Sequence, residues 1–410
     1  MKDDLTISAD RVVQDLRELA QLTSDENGAQ RFAWTPIWRK AVDWYGEKAA
    51  EFGAEVSIDA AGNVWAKVQG ESDESLVVGS HLDSVKNGGW LDGALGAVAG
   101  LEVLRRASKT KPNKTVYAVG WADEEGARFG SSVMGSSASS GRFDIEGIKN
   151  RLDANGISAK EALAEYGIDI ENILVAAKQL EEKKMAYFLE LHIEQGPILE
   201  SKNKKVSSVY GVQGIERHYL HFVGHLAHGG ACPISMRKDP FLAAAKASLA
   251  FRELALKYDA MCTVGKVKVE PDIATTAPGK CTISLDQRSI DPQKLIDLNR
   301  ESREVSQKIA DEFGVKVTWD KIYSIVPTIF DEELTKLGQE AVEEETGEAT
   351  TMFSGPLHDA VEMAILAPTT MMFASTADGM THCAEEDTPE EDLKVAIRAF
   401  MRLADKVIAL

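Results

Sequence analysis

Between residues 55 and 193 the chain alternates short β-prone runs with helical ones, a pattern that a layered α/β core buries. Glu55–Ser57, Val64–Val68, Leu76–Val78, Thr115–Trp121 and Phe188–His192 read as strands. Between the third and fourth, GALGAVAGLEVLRR (Gly93–Arg106) is apolar and rich in Ala and Leu, the pattern of a buried helix. An amphipathic helix is expected to begin near Ser8. Strands alternating with helices imply a largely parallel or mixed sheet.

Near residue 215 the grammar changes. Arg217–Val223 alternates as a strand, and PFLAAAKASLAFRELALKY (Pro240–Tyr258) is a helix opened by proline. Cys262–Val269 and Cys281–Arg288 alternate as two strands, Asp291–Phe313 is a charged helix, and Val315–Lys321 is a further strand. The order β-α-β-β-α-β is ferredoxin-like. Helices then return at Asp331–Glu345, Asp359–Leu366 and Pro389–Leu410, around a strand at Thr369–Ala374. The expected architecture is an α/β domain of residues 1–212 and 325–410, interrupted by an inserted domain of residues 213–324.

A chain of 410 residues buries a large core, and 44% hydrophobic content excludes general disorder. Its 46 basic against 65 acidic residues, a net charge of −19, argue against nucleic acid or an anionic membrane as partner. The N-terminus carries Asp3 and Asp4 in place of the basic start of a signal peptide, and no apolar run is long enough to span a bilayer. Cys232, Cys262, Cys281 and Cys383 form no CxxC pair. Free thiols and a cytoplasmic location are expected.

Four segments carry chemistry. In GSHLDSVKNGGWLDGALG, His81 and Asp83 follow a strand and Asp92 opens the apolar helix. Imidazole and carboxylate suit zinc and similar ions, and Asp83 is placed to fix the His81 tautomer; equally, Asp92 can be a helix cap and His81 a loop residue. In GWADEEGARFG, Asp123, Glu124 and Glu125 follow a strand. Three adjacent acids repel unless a cation or solvent intervenes, so they are either a solvated turn or a ligand beside a general base. FLELHIEQGPILE brings His192 to a strand end ahead of Gln195, and ADGMTHCAEED brings His382 after a turn. Singly each is weak. Together, His81, Asp92, Glu125, His192 and His382 are five ligand-type residues at strand ends, where open α/β sheets gather their sites. With one carboxylate shared they satisfy two adjacent metals.

In family order, HLDSVxxGGxxDG, DEEGARF, ELHIEQG, an HxGxxP-like stretch, SGxxHDA and DGxxHxxxE span essentially the whole chain. This resembles the hydantoinase/carbamoylase branch of the metal-dependent aminoacylase–carboxypeptidase superfamily, which includes N-carbamoyl-L-amino acid hydrolases, β-ureidopropionases and allantoate amidohydrolases. The resemblance implies two divalent ions (zinc, manganese or cobalt), one held by His81 and His192, the other by Glu125 and His382, with Asp92 bridging. It implies Glu124 as general base toward a metal-bridging water and Asp83 as the group orienting His81. It makes the inserted domain a lid and homodimerisation module, and has His228, in GHLAHGGACP, polarise the scissile carbonyl from the partner subunit. Gln195, Arg288 and His358 resemble residues around the substrate, with Arg288 facing a substrate carboxylate, a match for the guanidinium fork.

The chain also departs from the family pattern. Thr275 falls where Asn is usual, and a hydroxyl lacks the amide's paired donor and acceptor. Pro356-Leu357 replaces small residues before the HDA histidine, and Cys232 replaces a usual Thr. Both Cys232 and Cys383 read as packing residues. The expected function is hydrolysis of an N-carbamoyl-L-amino acid or related N-acyl amino acid. Alternatives are a deacylase or dipeptidase, or a hydrolase of ureido acids such as allantoate or β-ureidopropionate. More remote is a non-catalytic, metal-stabilised binding protein.

Overall fold

The computed structural model describes residues 2–410. Contacts divide the chain into two units, Met1–Tyr210 with Phe330–Leu410, and Gly211–Ile329. Where the chain passes between them its two strands lie side by side, Val212 opposite Thr328 and Gly211 opposite Ile329.

The first unit is built on a mixed sheet. Its four central strands, in spatial order Thr369–Ala374, Met185–Ile193, Ser72–His81 and Lys114–Trp121, run parallel. Antiparallel strands flank them, Val206–Val212 on one side and Val64–Val68 with Glu55–Ile58 on the other. The expected strands are all present, and Val64–Val68 and Thr369–Ala374 occupy the expected residues. The expected buried helix runs Ala94–Ser108 and is buried on nearly every side, packing on the central strands. Its small residues permit that closeness: a Cβ on Gly96 would stand 2.1 Å from the Leu191 carbonyl oxygen.

The first helix is Lys2–Thr23 and starts ahead of the expected Ser8. Its buried stripe, Leu5, Ala9, Val12, Leu16 and Leu19, already begins at Leu5, so burial carries the helix through the polar start. Short helices fill residues 134–181, where the sequence signals no element.

In the second unit an antiparallel sheet has the order Met261–Thr263, Lys280–Ser289, Gly214–Val223, Lys316–Ile325, with Val267–Glu270 also paired to Lys280–Ser289. Burial along Lys280–Ser289 alternates residue by residue, so one face meets the core. Helices Pro240–Tyr258 and Pro292–Phe313 open on Asp239 and Asp291, whose carboxylates accept first-turn N–H groups. The expected strand Cys262–Val269 is broken in two. At the break the Ser284 hydroxyl accepts the Lys266 N–H at 2.9 Å. Among the described residues no helix is long and apolar enough to cross a membrane.

Candidate active site

Parallel strands end at one edge of their sheet, and that edge carries the polar side chains. His81 is the last residue of its strand and pairs in register with Trp121, after which come Asp123, Glu124 and Glu125. His192 lies opposite Phe373 near the ends of two further strands. The turn from His81 to the buried helix carries Asp92 and closes at Gly93, whose φ is 66°. A Cβ there would lie 2.3 Å from the His81 ring. Three non-glycine residues around the edge, Asp123, Gln195 and His382, have φ between 56° and 58°, a conformation held only where the surroundings impose it.

The geometry brings the five expected ligand residues into two groups that share Asp92: His81, Asp92 and His192, and Asp92, Glu125 and His382. The two imidazole Nε2 atoms of His81 and His192 are 3.3 Å apart. Asp92 Oδ1 is 3.2 Å from His192 Nε2 and 3.6 Å from His81 Nε2. On the other side, Asp92 Oδ2 is 3.2 Å from His382 Nε2, which is 3.5 Å from Glu125 Oε2.

These residues fit divalent cations. Nδ1 of His81 faces the Asp83 carbonyl at 3.0 Å, and Nδ1 of His192 faces the Ile193 carbonyl at 2.9 Å. A carbonyl only accepts, so each Nδ1 carries the hydrogen and each Nε2 of the neutral ring turns a lone pair toward the other. Buried Asp92 Oδ1 has no hydrogen-bond partner. Two lone pairs and an orphaned carboxylate oxygen at these spacings are a donor set that fits one divalent cation. The third group of similar type, Glu190, His192 and His358, fits less well. Glu190 already accepts the Ser80 hydroxyl at 2.7 Å and the Ala360 N–H at 2.9 Å.

The electrostatics point the same way. Burial, then the charges of Asp359, Glu125, Asp83 and Asp92, hold Glu124 well above the usual carboxylate range. Burial likewise raises Glu125 to about 7 and Asp123 to about 6. Burial pushes His81 down to about 3. It opposes the charge on His192 too, but without a cation Asp92 overcomes it and brings that ring to about 9, so a cation would take the place of the proton on its Nε2. So many buried acids within one edge call for positive charge.

The Asp83 carboxylate stands 3.8 Å from His81 Nδ1, so its backbone carbonyl is the closer partner of the ring. The carboxylate instead accepts the N–H groups of Glu124 at 3.1 Å and Glu125 at 3.2 Å, fixing the acidic turn. Glu124 Oε2 is 3.8 Å from His81 Nε2. Gln195 donates to Asp92 Oδ2 at 3.0 Å. His358 is buried, its ring centroid 4.5 Å from that of His192 and its Nε2 2.9 Å from the Ser354 hydroxyl, so it backs His192.

In the second unit, exposed His228 pairs in register with Thr276, and the following Gly229 N–H donates to the carbonyl of exposed Thr275 at 2.7 Å. Arg288 lies on Lys280–Ser289 and donates to Asp286 at 2.8 Å. Sequence reasoning missed the residues that brace the acidic turn. The Trp34 indole donates to Asp123 at 2.8 Å, and Asn63 Oδ1 accepts the Ala122 N–H at 3.0 Å. Neither stands near a motif, so only the fold could reveal them.

Residues 77–406 match the model of Peptidase family M20/M25/M40, and the chain belongs to that family. Its relatives narrow the class to the hydantoinase/carbamoylase branch. It is 32% identical to an N-carbamoyl-L-amino acid amidohydrolase of Geobacillus stearothermophilus, over 95% of this chain and 96% of that one. It is 30% identical to an allantoate amidohydrolase of Bacillus subtilis, over 94% of each. A solved amidase of the hydantoinase/carbamoylase family from Burkholderia multivorans superposes with a TM-score of 0.88 at 28% identity, covering 97% of both chains.

Proposed function

We infer that this chain is an amidohydrolase that cleaves the C–N bond of an N-carbamoyl-L-amino acid or a closely related ureido acid. The observation that carries the reading is Asp92, whose two oxygens serve two separate ligand groups with Glu124 alongside. His81, His192 and Asp92 would hold one divalent cation, and Glu125, His382 and Asp92 a second. When bound, such ions supply Lewis acidity toward a carbonyl and lower the pKa of water. Nitrogen and oxygen donors accept zinc, manganese and cobalt alike.

The chain's own residues do the rest. Glu124 takes a proton from the attacking water and delivers it to the departing nitrogen, the task of a carboxylate shielded from solvent. Asp83 holds the backbone of Glu124 and Glu125 in place for that transfer. Arg288 receives the substrate carboxylate, and Gln195 and Thr275 contact its polar groups, with His358 supporting from behind His192. His228 polarises the scissile carbonyl. A carbamoyl substrate yields the free amino acid, ammonia and carbon dioxide. The second unit serves as lid and dimerisation module; its strand order supports the ferredoxin-like part of that reading. A cytoplasmic setting agrees with four free cysteines.

A deacylase or dipeptidase using the same machinery is the second reading, favoured by the departures at Thr275, Pro356 and Leu357. Ammonia and amine release from N-carbamoyl-L-amino acids, allantoate, β-ureidopropionate, N-acetyl amino acids and dipeptides separates the two. Turnover of a carbamoyl or ureido acid is expected. Activity confined to dipeptides would contradict the carbamoyl reading.

A further inference from the structure

Of the five expected ligands, His382 is the one that packing does not hold. Its side chain is 47% exposed, against 2% for His81 and 1% for His192. Its backbone is left-handed, with φ of 58°. A non-glycine residue keeps that conformation, and an exposed imidazole keeps one direction, only when something else fixes the loop.

Glu386 is that fixture. It is 1% exposed. Oε1 accepts the backbone N–H groups of Leu91 at 3.1 Å and Asp92 at 3.0 Å, while Oε2 accepts the Thr381 hydroxyl at 2.8 Å. One carboxylate therefore fastens the backbone of Asp92 to the residue preceding His382. Gly89 makes the room: a Cβ there would stand 1.9 Å from the Glu386 carboxyl carbon. The loop around it is closed by the Ala377 N–H on the Asp387 carbonyl at 2.9 Å and the Thr388 hydroxyl on the Ser375 carbonyl at 2.6 Å. Buried Arg31 holds the Leu82 and Gly89 carbonyls, and of the acids that keep its charge against burial Glu386 is foremost.

We propose that Glu386 is a positioning residue that sets the cation pocket of Asp92, Glu125 and His382, leaving the His81–His192 pocket to the strands that carry it. The proposal rests on the two-cation reading above and assigns Glu386 no contact with substrate.

The test titrates cobalt(II) into chelator-treated full-length protein, followed by calorimetry and by the visible bands of the ion. Two equivalents are expected in the wild type. In Glu386→Ala the first equivalent binds unchanged and the second binds about 10- to 100-fold more weakly, the range for losing a residue that orients ligands. Glu386→Gln, whose carboxamide oxygen still accepts both N–H groups, recovers most of that affinity. Should Glu386→Ala not fold, Gly89→Ala displaces the carboxylate without removing it and is expected to show the same selective loss. Two equivalents at wild-type affinity in the folded variant, or equal weakening of both, would overturn the proposal. Uptake of fewer than two by the wild type would overturn the two-cation reading itself, before any variant is made.

Discussion

Glu124 occupies a place where a carboxylate is useful as a base and poorly tolerated as an anion. It is buried and flanked by Asp83, Asp92, Glu125 and Asp359, so each proton that leaves this edge adds repulsion unless a cation is present. The cation-free protein should report that directly. An acid whose folded pKa is raised contributes stability at low pH that is lost as pH rises through the folded value. Burial sets Glu125 and Glu190 at about 7, and Asp92 holds His192 at about 9 against burial. A hydrogen bond donated to Asp92 brings His382 to about 9 as well. His81 and His358, lowered by burial, act in the opposite sense only below the ordinary histidine value of about 6.5. Between about pH 6.5 and 9 the raised groups therefore remove stability, Glu125 and Glu190 at the lower end of the window and His192 and His382 across it. The Tm of chelated protein is expected to fall across that window, and saturating cobalt(II) to prevent the fall. A chelated Tm that rises with pH there would contradict the account.

At the scale of the element, the site depends on how closely a helix approaches a strand end. Gly93 combines a positive φ with a missing Cβ beside the His81 ring. Gly93→Ala is expected to destabilise the fold by about 1–3 kcal/mol, the cost of a non-glycine residue in such a backbone, and to weaken the first equivalent of cation. Denaturant unfolding and the cobalt titration check both; wild-type values in each would show that the turn has slack. Elements with strong local signals were legible in the sequence. Pro240–Tyr258 carries its proline start and apolar stripe, and Thr369–Ala374 joins two β-branched threonines to the apolar run Met371–Ala374. The five expected ligand residues were legible from the strand-like runs and turns that carry them, and the fold brings them together in two groups. What holds them was not. Trp34 and Asn63 reach Asp123 and Ala122 from 89 and 59 residues away, and Glu386, the last residue of the DGxxHxxxE motif, reaches Asp92 across 294 residues, a contact the motif does not announce. Only the sheet order, which is non-local, creates those contacts. The short helices between 134 and 181 escaped too, because six- and seven-residue helices show too few turns for a period to register.

For the whole molecule, the second unit exposes Leu242, Leu249 and Leu256 at seven-residue spacing along one helix, a stripe suited to pairing with another copy. We propose a homodimer through this unit with His228 acting across it. Mixing His228→Ala protein with Glu124→Gln protein, each inactive alone, is then expected to restore part of the activity in verified mixed dimers. No recovery would mean that each chain completes its own site.

Glu124 acts as the base of a two-cation amidohydrolase only if Glu124→Gln keeps its cations and loses turnover, which cation content and kcat measured on one sample decide. Two equivalents of cation with kcat lowered by about 10²–10⁴, the usual contribution of a general base, is the predicted result. Wild-type kcat in a fully loaded Glu124→Gln enzyme would contradict it.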